Sequence, residues 1–183
     1  EAGVLVTRTD VHQDSESRYA HAEFDLSGRL VRHDVNCALQ GEDAEAALQG
    51  VYALTDARHA DNHSRIDHLA SNTRSSEDFK GVLDGRSRGV FNGKVVVAEG
   101  TAGIEADQIN RNLLLSREAE IDTKPELEIY ADDVKCSHGA TVGQLDERQL
   151  FYLQSRGIPK DQARSMLIDA FCREIVDRID DDS

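Results

Sequence analysis

The chain has 183 residues and a formal net charge of −14 at pH 7, which predicts one domain, or one domain with a small appendage. Nucleic acid and anionic membranes are excluded as expected partners because both need clustered Lys and Arg, and no apolar run approaches the roughly 18 residues of a membrane span. Three Cys residues make no disulfide framework in a chain of this length and favour a reducing cytoplasm.

Residues 1–135 show the alternation that is typical of short β-strands. In several runs the apolar residues share one parity, which predicts strands with one buried face. These sets are Ala20, Ala22, Phe24 and Leu26; Val31, His33, Val35, Cys37 and Leu39; Leu48, Gly50, Tyr52 and Leu54; and Leu127, Ile129 and Ala131. Turns are predicted at Ser27-Gly28, Gly41-Glu42-Asp43, Asp61-Asn62, Asp84-Gly85 and Asn92-Gly93.

The strand-rich part of the chain contains no amphipathic helix of 10–15 residues between the runs, which argues against a doubly wound α/β fold. A sandwich, a barrel and a parallel β-helix stay open. Trp is absent and aromatic residues make up 5% of the chain, whereas a sandwich core usually relies on large aromatic side chains. The composition therefore favours the β-helix, although no strict short repeat decides the matter.

The pattern becomes helical at Asp146. Asp146 is a candidate N-cap, and Gln149 three residues later completes a capping box. The spacing predicts a first helix that runs to about Arg156. Gly157 then takes the position just past the helix end, where glycine is favoured.

A second helix is predicted from near Pro159 to about Ile179. Its apolar stripe consists of Ala163, Met166, Leu167, Ala170, Phe171, Ile175 and Ile179. Two ion pairs should support its exposed face, Asp169 with Arg173 and Glu174 with Arg178. We therefore divide the chain into a β core, residues 1–145, and a C-terminal helical segment, residues 146–183.

Cys136 and His138 are the first candidates for chemistry. In a strand the i, i+2 spacing puts the thiol and the imidazole on the same face, and both side chains suit iron. Two ligands do not complete a cluster site, so a partner must supply the others or the site must be transient. Spacing alone favours the alternative, a buried Cys beside a surface His, because Cys-x-His is a weak motif.

A histidine group forms the second candidate, namely His59, His63 and His68 with the interleaved acids Asp56, Asp61 and Asp67. It could make a His/Asp metal site. The His-x3-His spacing aligns two imidazoles on a helix, whereas Asp61-Asn62 predicts a turn. A solvated loop with one strand histidine is therefore the favoured interpretation.

The acidic residues Asp107, Asp132 and Asp133 suggest an alternative function. β-Helix lyases and hydrolases that act on polysaccharides place two or three acids on one exposed sheet. Since the chain has 35 acidic residues, a solvated acidic surface is the favoured alternative. Of the remaining thiols, Cys37 is predicted to lie in the core, and Cys172 lies beside the stripe of the second helix.

Several segments resemble the SufB/SufD family of iron–sulfur cluster assembly scaffolds, most clearly between Arg86 and Gly157. They are Gly89-Val90-Phe91-Asn92-Gly93, Asn110-Arg111-Asn112-Leu113-Leu114-Leu115 and Lys135-Cys136-Ser137-His138-Gly139-Ala140-Thr141. The Cys-Ser-His sequence resembles the D-type members, since B-type members carry Glu-His-Glu there.

The resemblance implies a right-handed parallel β-helix followed by a small C-terminal α-helical segment, and a non-catalytic scaffold rather than an enzyme. It implies that His138 and Cys136 are transient iron or iron–sulfur ligands at the interface with a SufB-like paralogue, with no cluster kept by the isolated chain. A SufC-like ABC ATPase is expected to dock on residues of about 146–180. Sequence before Glu1 is missing relative to the family, so we expect a β-helix truncated on its N-terminal side. Without the paralogue, we expect a homodimer through strands near 127–138.

Overall fold

The computed structural model describes residues 3–181, which form ten β-strands followed by two α-helices. The strands are β1 (Val4–Gln13), β2 (Arg18–Asp25), β3 (Leu30–Leu39), β4 (Glu45–Leu54), β5 (His59–His68), β6 (Arg74–Leu83), β7 (Arg88–Val97), β8 (Ile104–Leu114), β9 (Glu120–Ile129) and β10 (Val134–Gly143). The helices are α1 (Glu147–Ser155) and α2 (Lys160–Asp181).

The strands wind into coils that each add one strand to two parallel sheets. Sheet A has the order β1-β3-β5-β7-β9, and sheet B has the order β10-β8-β6-β4-β2. Leu30 pairs with His59 and His59 with Arg88, so a coil here takes the chain from position 30 to 59 to 88. The predicted parallel β-helix followed by C-terminal helices is therefore confirmed.

Alternate residues of each strand face the interior between the two sheets, as the period-2 pattern requires. The predicted inward faces of β3 and β4 are confirmed, and together they supply much of the core. Their buried members are Val31, Val35, Cys37 and Leu39 in β3, and Leu48, Tyr52 and Leu54 in β4.

The predicted face of β2 is wrong. The residues predicted to face the core are exposed, namely Ala20, Ala22, Phe24 and Leu26. The buried positions of this strand belong to Glu23 and Asp25. His33, from the next coil, hydrogen-bonds Asp25 at 2.9 Å, and His21 hydrogen-bonds Glu23 at 3.2 Å. Since a buried carboxylate is tolerated when it has such partners, the polar face of β2 turns inward.

Two of the predicted turns are also wrong, because Asp61-Asn62 lies within β5 and Asn92-Gly93 lies within β7. Asn62 is 2% exposed and faces the interior. A Cβ on Gly93 would overlap the side-chain amide of Gln108 from β8. Asn62 and Gly93 therefore face the polar part of the interior. The other three predicted turns do fall between strands.

Both predicted ends of α1 are confirmed. The Asp146 carboxylate accepts the backbone N–H of Arg148 at 2.8 Å and caps the start of the helix. Gly157 follows the last turn with φ +86°, a left-handed conformation that glycine adopts without a Cβ penalty.

Helix α2 lies on the outer face of sheet B over β4 and β6. Its predicted stripe is right only in part, because Ala163 and Ile175 are buried while Met166 is 44% exposed. The side chain of Ile179 lies outside the described residues. The predicted Asp169–Arg173 ion pair forms at 3.1 Å.

A charged network holds α2 to sheet B. Lys80 of β6 is fully buried, and its ammonium donates to the Glu174 carboxylate and, at 2.6 Å, to the Phe171 carbonyl. Arg178 donates to Asp78 at 2.8 Å. The predicted Glu174–Arg178 pair is therefore wrong, because each residue binds a partner on the sheet instead.

Close packing around Gly81 of β6 gives a first prediction. A Cβ at this position would overlap the Tyr52 ring and the Asn112 side chain, which are themselves joined by a hydrogen bond. We expect Gly81→Ala to lower the free energy of unfolding by about 1–3 kcal/mol, the usual cost of overpacking. Urea unfolding followed by circular dichroism measures the change. Gly139→Ala in β10 is the control, because a Cβ there meets no heavy atom within 4 Å; equal losses would contradict the prediction.

Candidate functional site

Cys136 and His138 lie in β10, the terminal strand of sheet B. Strand β9 ends at Ile129, and a turn separates it from β10, so the predicted run through Ala131 is wrong in its last residue. Ser137 donates its hydroxyl to Asp107, an exposed outer-face residue. The flanking Cys136 and His138 consequently share the inner face of the last coil, as their spacing predicts.

The strand below β10 confirms this orientation of the site. Cys136 pairs with Ala106 and His138 pairs with Gln108, and both partners are buried interior residues. Cys136 is half-buried against the hydrophobic core, whereas His138 is exposed. Burial raises the pKa of the Cys136 thiol, and a hydrogen bond with the Ala106 backbone partly offsets the increase.

This site offers two side chains that can bind a metal. A thiolate and an imidazole can both bind iron, but a cluster usually takes four protein ligands. Within residues 3–181 the structure shows no group of three or more His, Cys, Asp or Glu side chains that could hold a metal ion.

The histidine group does not converge. The predicted loop is wrong for its three histidines, because His59–His68 is strand β5, whereas Asp56 lies in the turn before this strand. His63 faces outward and hydrogen-bonds Asp61 at 2.8 Å. His68 faces inward, where it hydrogen-bonds Thr73 at 2.8 Å and Ser75 at 2.9 Å. Burial lowers the pKa of His68 to about 4, so this imidazole is a neutral core residue.

The acidic candidates are used for local structure. Asp107 accepts the Ser137 hydroxyl, and the Asp133 carboxylate accepts the backbone N–H of Gly103 at 3.1 Å. Asp132 is exposed in the same turn as Asp133. These contacts give no support for a pair of catalytic carboxylates.

A groove of about 810 Å³ crosses the outer face of sheet B beside the site. Its charged side chains alternate in sign from strand to strand and pair with one another, in the order Arg18, Glu45, Arg74, Glu105 and Lys135. Each carboxylate of this ladder has a basic partner, and Asp107, the other acid that lines the groove, accepts the Ser137 hydroxyl. The described residues of the groove therefore present no pair of unpartnered acids of the kind that glycoside hydrolysis uses.

A polar cluster in the interior was not predicted from the sequence. Glu77 of β6 is 1% exposed and accepts a hydrogen bond from the Gln108 amide. Burial raises the pKa of Glu77 to about 7, and the nearby Ser64 hydroxyl and the Gln108 amide moderate the increase. Glu77 pairs with Gln108 and Gln108 with His138, so spacings of one coil in the sequence could have linked these three residues.

The other two thiols have structural surroundings. Cys37 is confirmed as a core residue, since it is 1% exposed and donates to the Gln13 amide oxygen at 3.2 Å. Burial raises its pKa to about 11. Cys172 is half-buried on α2, and burial raises its pKa as well.

Comparison with known families gives one match over nearly the whole chain. The family described as SUF system FeS cluster assembly, SufBD core domain, matches residues 1–171. The chain belongs to the SufBD core family. The predicted family resemblance is thereby confirmed, and the family's system is iron–sulfur cluster assembly.

Individual SufBD relatives cover most of the chain. It is 40% identical over 174 residues to an iron–sulfur cluster assembly SufBD family protein of Synechocystis, which covers 95% of this chain and 38% of the relative. It is 37% identical over 169 residues to the iron–sulfur cluster assembly protein SufD of Escherichia coli, with 92% and 40% covered. A chloroplastic Arabidopsis thaliana protein named ABCI7 is 38% identical over 179 residues, with 97% and 38% covered.

The chain thus spans about two fifths of the length of these SufBD relatives. The matched part includes the β-helix and most of the two helices. Neither helix within residues 3–181 has the length and apolar character needed to cross a bilayer.

Proposed function

We propose that this SufBD-family chain is a non-catalytic scaffold subunit of an iron–sulfur cluster assembly complex. The observation that carries the proposal is the pairing of Cys136 and His138 on the inner face of the terminal coil. Two ligands suit a cluster that is cargo, formed at a boundary between chains and then passed on. They do not suit a cluster held permanently by this chain, because a resident site usually has four ligands.

The terminal strands of both sheets could pair with a partner chain beside Cys136 and His138. Strands β9 and β10 are terminal in their sheets, so within the described residues one side of each has no strand partner. Free backbone N–H and C=O groups on such an edge invite pairing with another chain. We propose that a SufB-like paralogue pairs here and supplies the missing ligands, and that the isolated chain forms a homodimer through the same strands.

The helices offer a second contact surface. Phe151 and Tyr152 of α1 are 74% and 58% exposed, and Met166 of α2 is 44% exposed. A mostly apolar cleft of about 370 Å³ is lined by Tyr152 and Leu153 of α1 and by Leu167 of α2. Since contiguous exposed apolar groups mark interaction surfaces, we propose that a SufC-like ABC ATPase docks on α1 and α2.

This docking proposal predicts a loss of binding for Phe151→Asp. A charge in place of this exposed aromatic side chain should weaken the complex with the ATPase by about 30-fold or more, as for other aromatic hot spots. Isothermal titration of the separately purified ATPase measures the effect. Leu69→Asp is the matched control, because Leu69 is an exposed apolar residue, 47% accessible, in the turn after β5. Equal affinities of the two variants would contradict docking on the helices.

The function itself is tested by co-expressing the longest natural form of this chain with the paralogue and the ATPase of the same source, followed by anaerobic purification. We expect a complex that contains all three proteins and carries iron and sulfide, without turnover of any substrate by this subunit. The three free thiols fit a reducing compartment, and we propose the cytoplasm. Failure of the complex to form, or a complex that never acquires iron, would overturn the proposal.

A further inference from the structure

Gln108 occupies the interior position between Glu77 and His138. Its amide nitrogen donates to the Glu77 carboxylate. Its amide oxygen is buried and has no hydrogen-bond partner among residues 3–181. A buried acceptor without a partner is costly, so the Gln108 oxygen is placed to receive a donor that arrives from elsewhere on the inner face.

His138 can bring that donor. It is the direct register partner of Gln108 on the neighbouring strand, and adjacent strands lie about 4.8 Å apart with side chains on the same face. No side-chain hydrogen bond of the His138 imidazole occurs within the described part of the chain. A histidine that binds a metal through one ring nitrogen almost always donates its other N–H to a carboxylate or a carbonyl oxygen.

The surroundings of Gln108 fix the direction of its amide. Glu77, when ionised, can only accept hydrogen bonds, so the amide nitrogen must face Glu77 and the oxygen must face away from it. Gly93 on the opposite sheet leaves the space that the amide fills, since a Cβ there would overlap it. Gln108 is 0% exposed, so bulk water does not compete for its oxygen.

We propose that Gln108 is a positioning residue for His138: its side-chain oxygen accepts the imidazole N–H that does not face the ligand, and Glu77 holds the amide in this orientation. The hydrogen bond selects one tautomer of His138 and directs the other ring nitrogen out of the coil. The value of this arrangement for a cluster rests on the proposed scaffold function, but the hydrogen bond itself does not.

Nitrogen-15 NMR of the histidine side chains in the 183-residue chain at pH 8 tests the proposal without any iron. We expect Gln108→Leu to change the tautomer ratio of His138 about fivefold, the factor that one net hydrogen bond provides. His63, bound to Asp61 on the outer face of sheet A, is the internal reference and should not change. Glu77→Gln should shift the His138 tautomer ratio in the same direction. The amide introduced at position 77 can both donate and accept a hydrogen bond, so it no longer fixes the orientation of the Gln108 amide.

The outcomes separate this inference from the proposed function. An unchanged His138 tautomer ratio in both variants overturns the positioning role, whatever happens to iron binding. A shift in His138 with a constant His63 supports it, and Glu77→Gln decides the matter if Gln108→Leu does not fold. If the tautomer shifts but His138→Ala leaves the iron content of the complex intact, the positioning role stands and the cluster ligands lie elsewhere. If the tautomer shifts but the wild-type complex never acquires iron, the positioning role stands and the scaffold proposal fails.

Discussion

Replacing His138 by alanine should lower the iron and acid-labile sulfide of the assembled complex about tenfold or more, since loss of even an outer-shell partner of a metal site typically costs 10–100-fold. His138 is the exposed member of the pair, whereas Cys136 is half-buried against the core. If a cluster forms at the chain boundary as proposed, we expect the exposed imidazole to be its more accessible ligand. Iron and sulfide assays on the anaerobically purified complex measure the effect.

Two controls separate ligation from general damage. Ser137→Ala lies on the same strand but on its outer face, where Ser137 contacts Asp107. His63→Ala removes another imidazole, one that belongs to the outer face of sheet A. We expect both control complexes to keep their iron and all three variants to keep their subunits. Equal iron contents in the His138→Ala and wild-type complexes would show that the cluster ligands lie elsewhere.

Local signals in the sequence were sufficient for helix α1. The Asp146 side chain caps the first turn and Gly157 takes the left-handed conformation after the last turn, both as predicted. Both signals involve only residues a few positions apart in the sequence, so they could be read without knowing the tertiary structure. The faces of β3 and β4 were predictable for the same reason, because strictly alternating apolar residues leave one face to bury.

The inward face of β2 depended on groups from another coil. Its apolar residues face solvent, while Glu23 and Asp25 are buried with His21 and His33 as partners. His33 belongs to β3, and no local pattern indicates that it comes within hydrogen-bonding distance of Asp25. Hydrophobic alternation therefore gave the wrong face, because the decisive interaction was a polar contact between coils.

The residues of the candidate site also differ in whether a local pattern could reveal them. Cys136 and His138 could be found from spacing, because both lie in one strand. Glu77 and Gln108 could not be found from a pattern within one strand, because each lies about one coil from its partner. The coils also differ in length, since Arg74 pairs with Glu105 whereas Ile104 pairs with Val134, so no single spacing links the residues. A search for polar residues 29–31 positions apart, the separations of residue pairs such as Arg32–Asp61 and Glu77–Gln108, would have revealed the row.

Replacing Glu77 by glutamine should raise the free energy of unfolding by about 3 kcal/mol above pH 7, because one pKa unit corresponds to about 1.4 kcal/mol. Burial raises the pKa of Glu77 from 4.5 to about 7 in the folded chain. Between these two values the unfolded chain loses the proton while the folded chain keeps it, so the wild type loses stability as the pH rises. Glutamine does not titrate, and its advantage should grow over the same window.

Urea unfolding of both proteins at pH 4, 5, 6, 7 and 8 measures this difference. Glu118→Gln is the matched control, because Glu118 is exposed and its replacement should leave the pH dependence unchanged. We expect nearly equal stabilities of wild type and Glu77→Gln at about pH 4, where the carboxyl is protonated in both states. A difference that stays constant with pH would show that the Glu77 carboxylate ionises in the folded chain without cost. Such a result would mean that water reaches the interior beside Gln108, and it would remove the dry surroundings that make the orientation of the Gln108 amide matter.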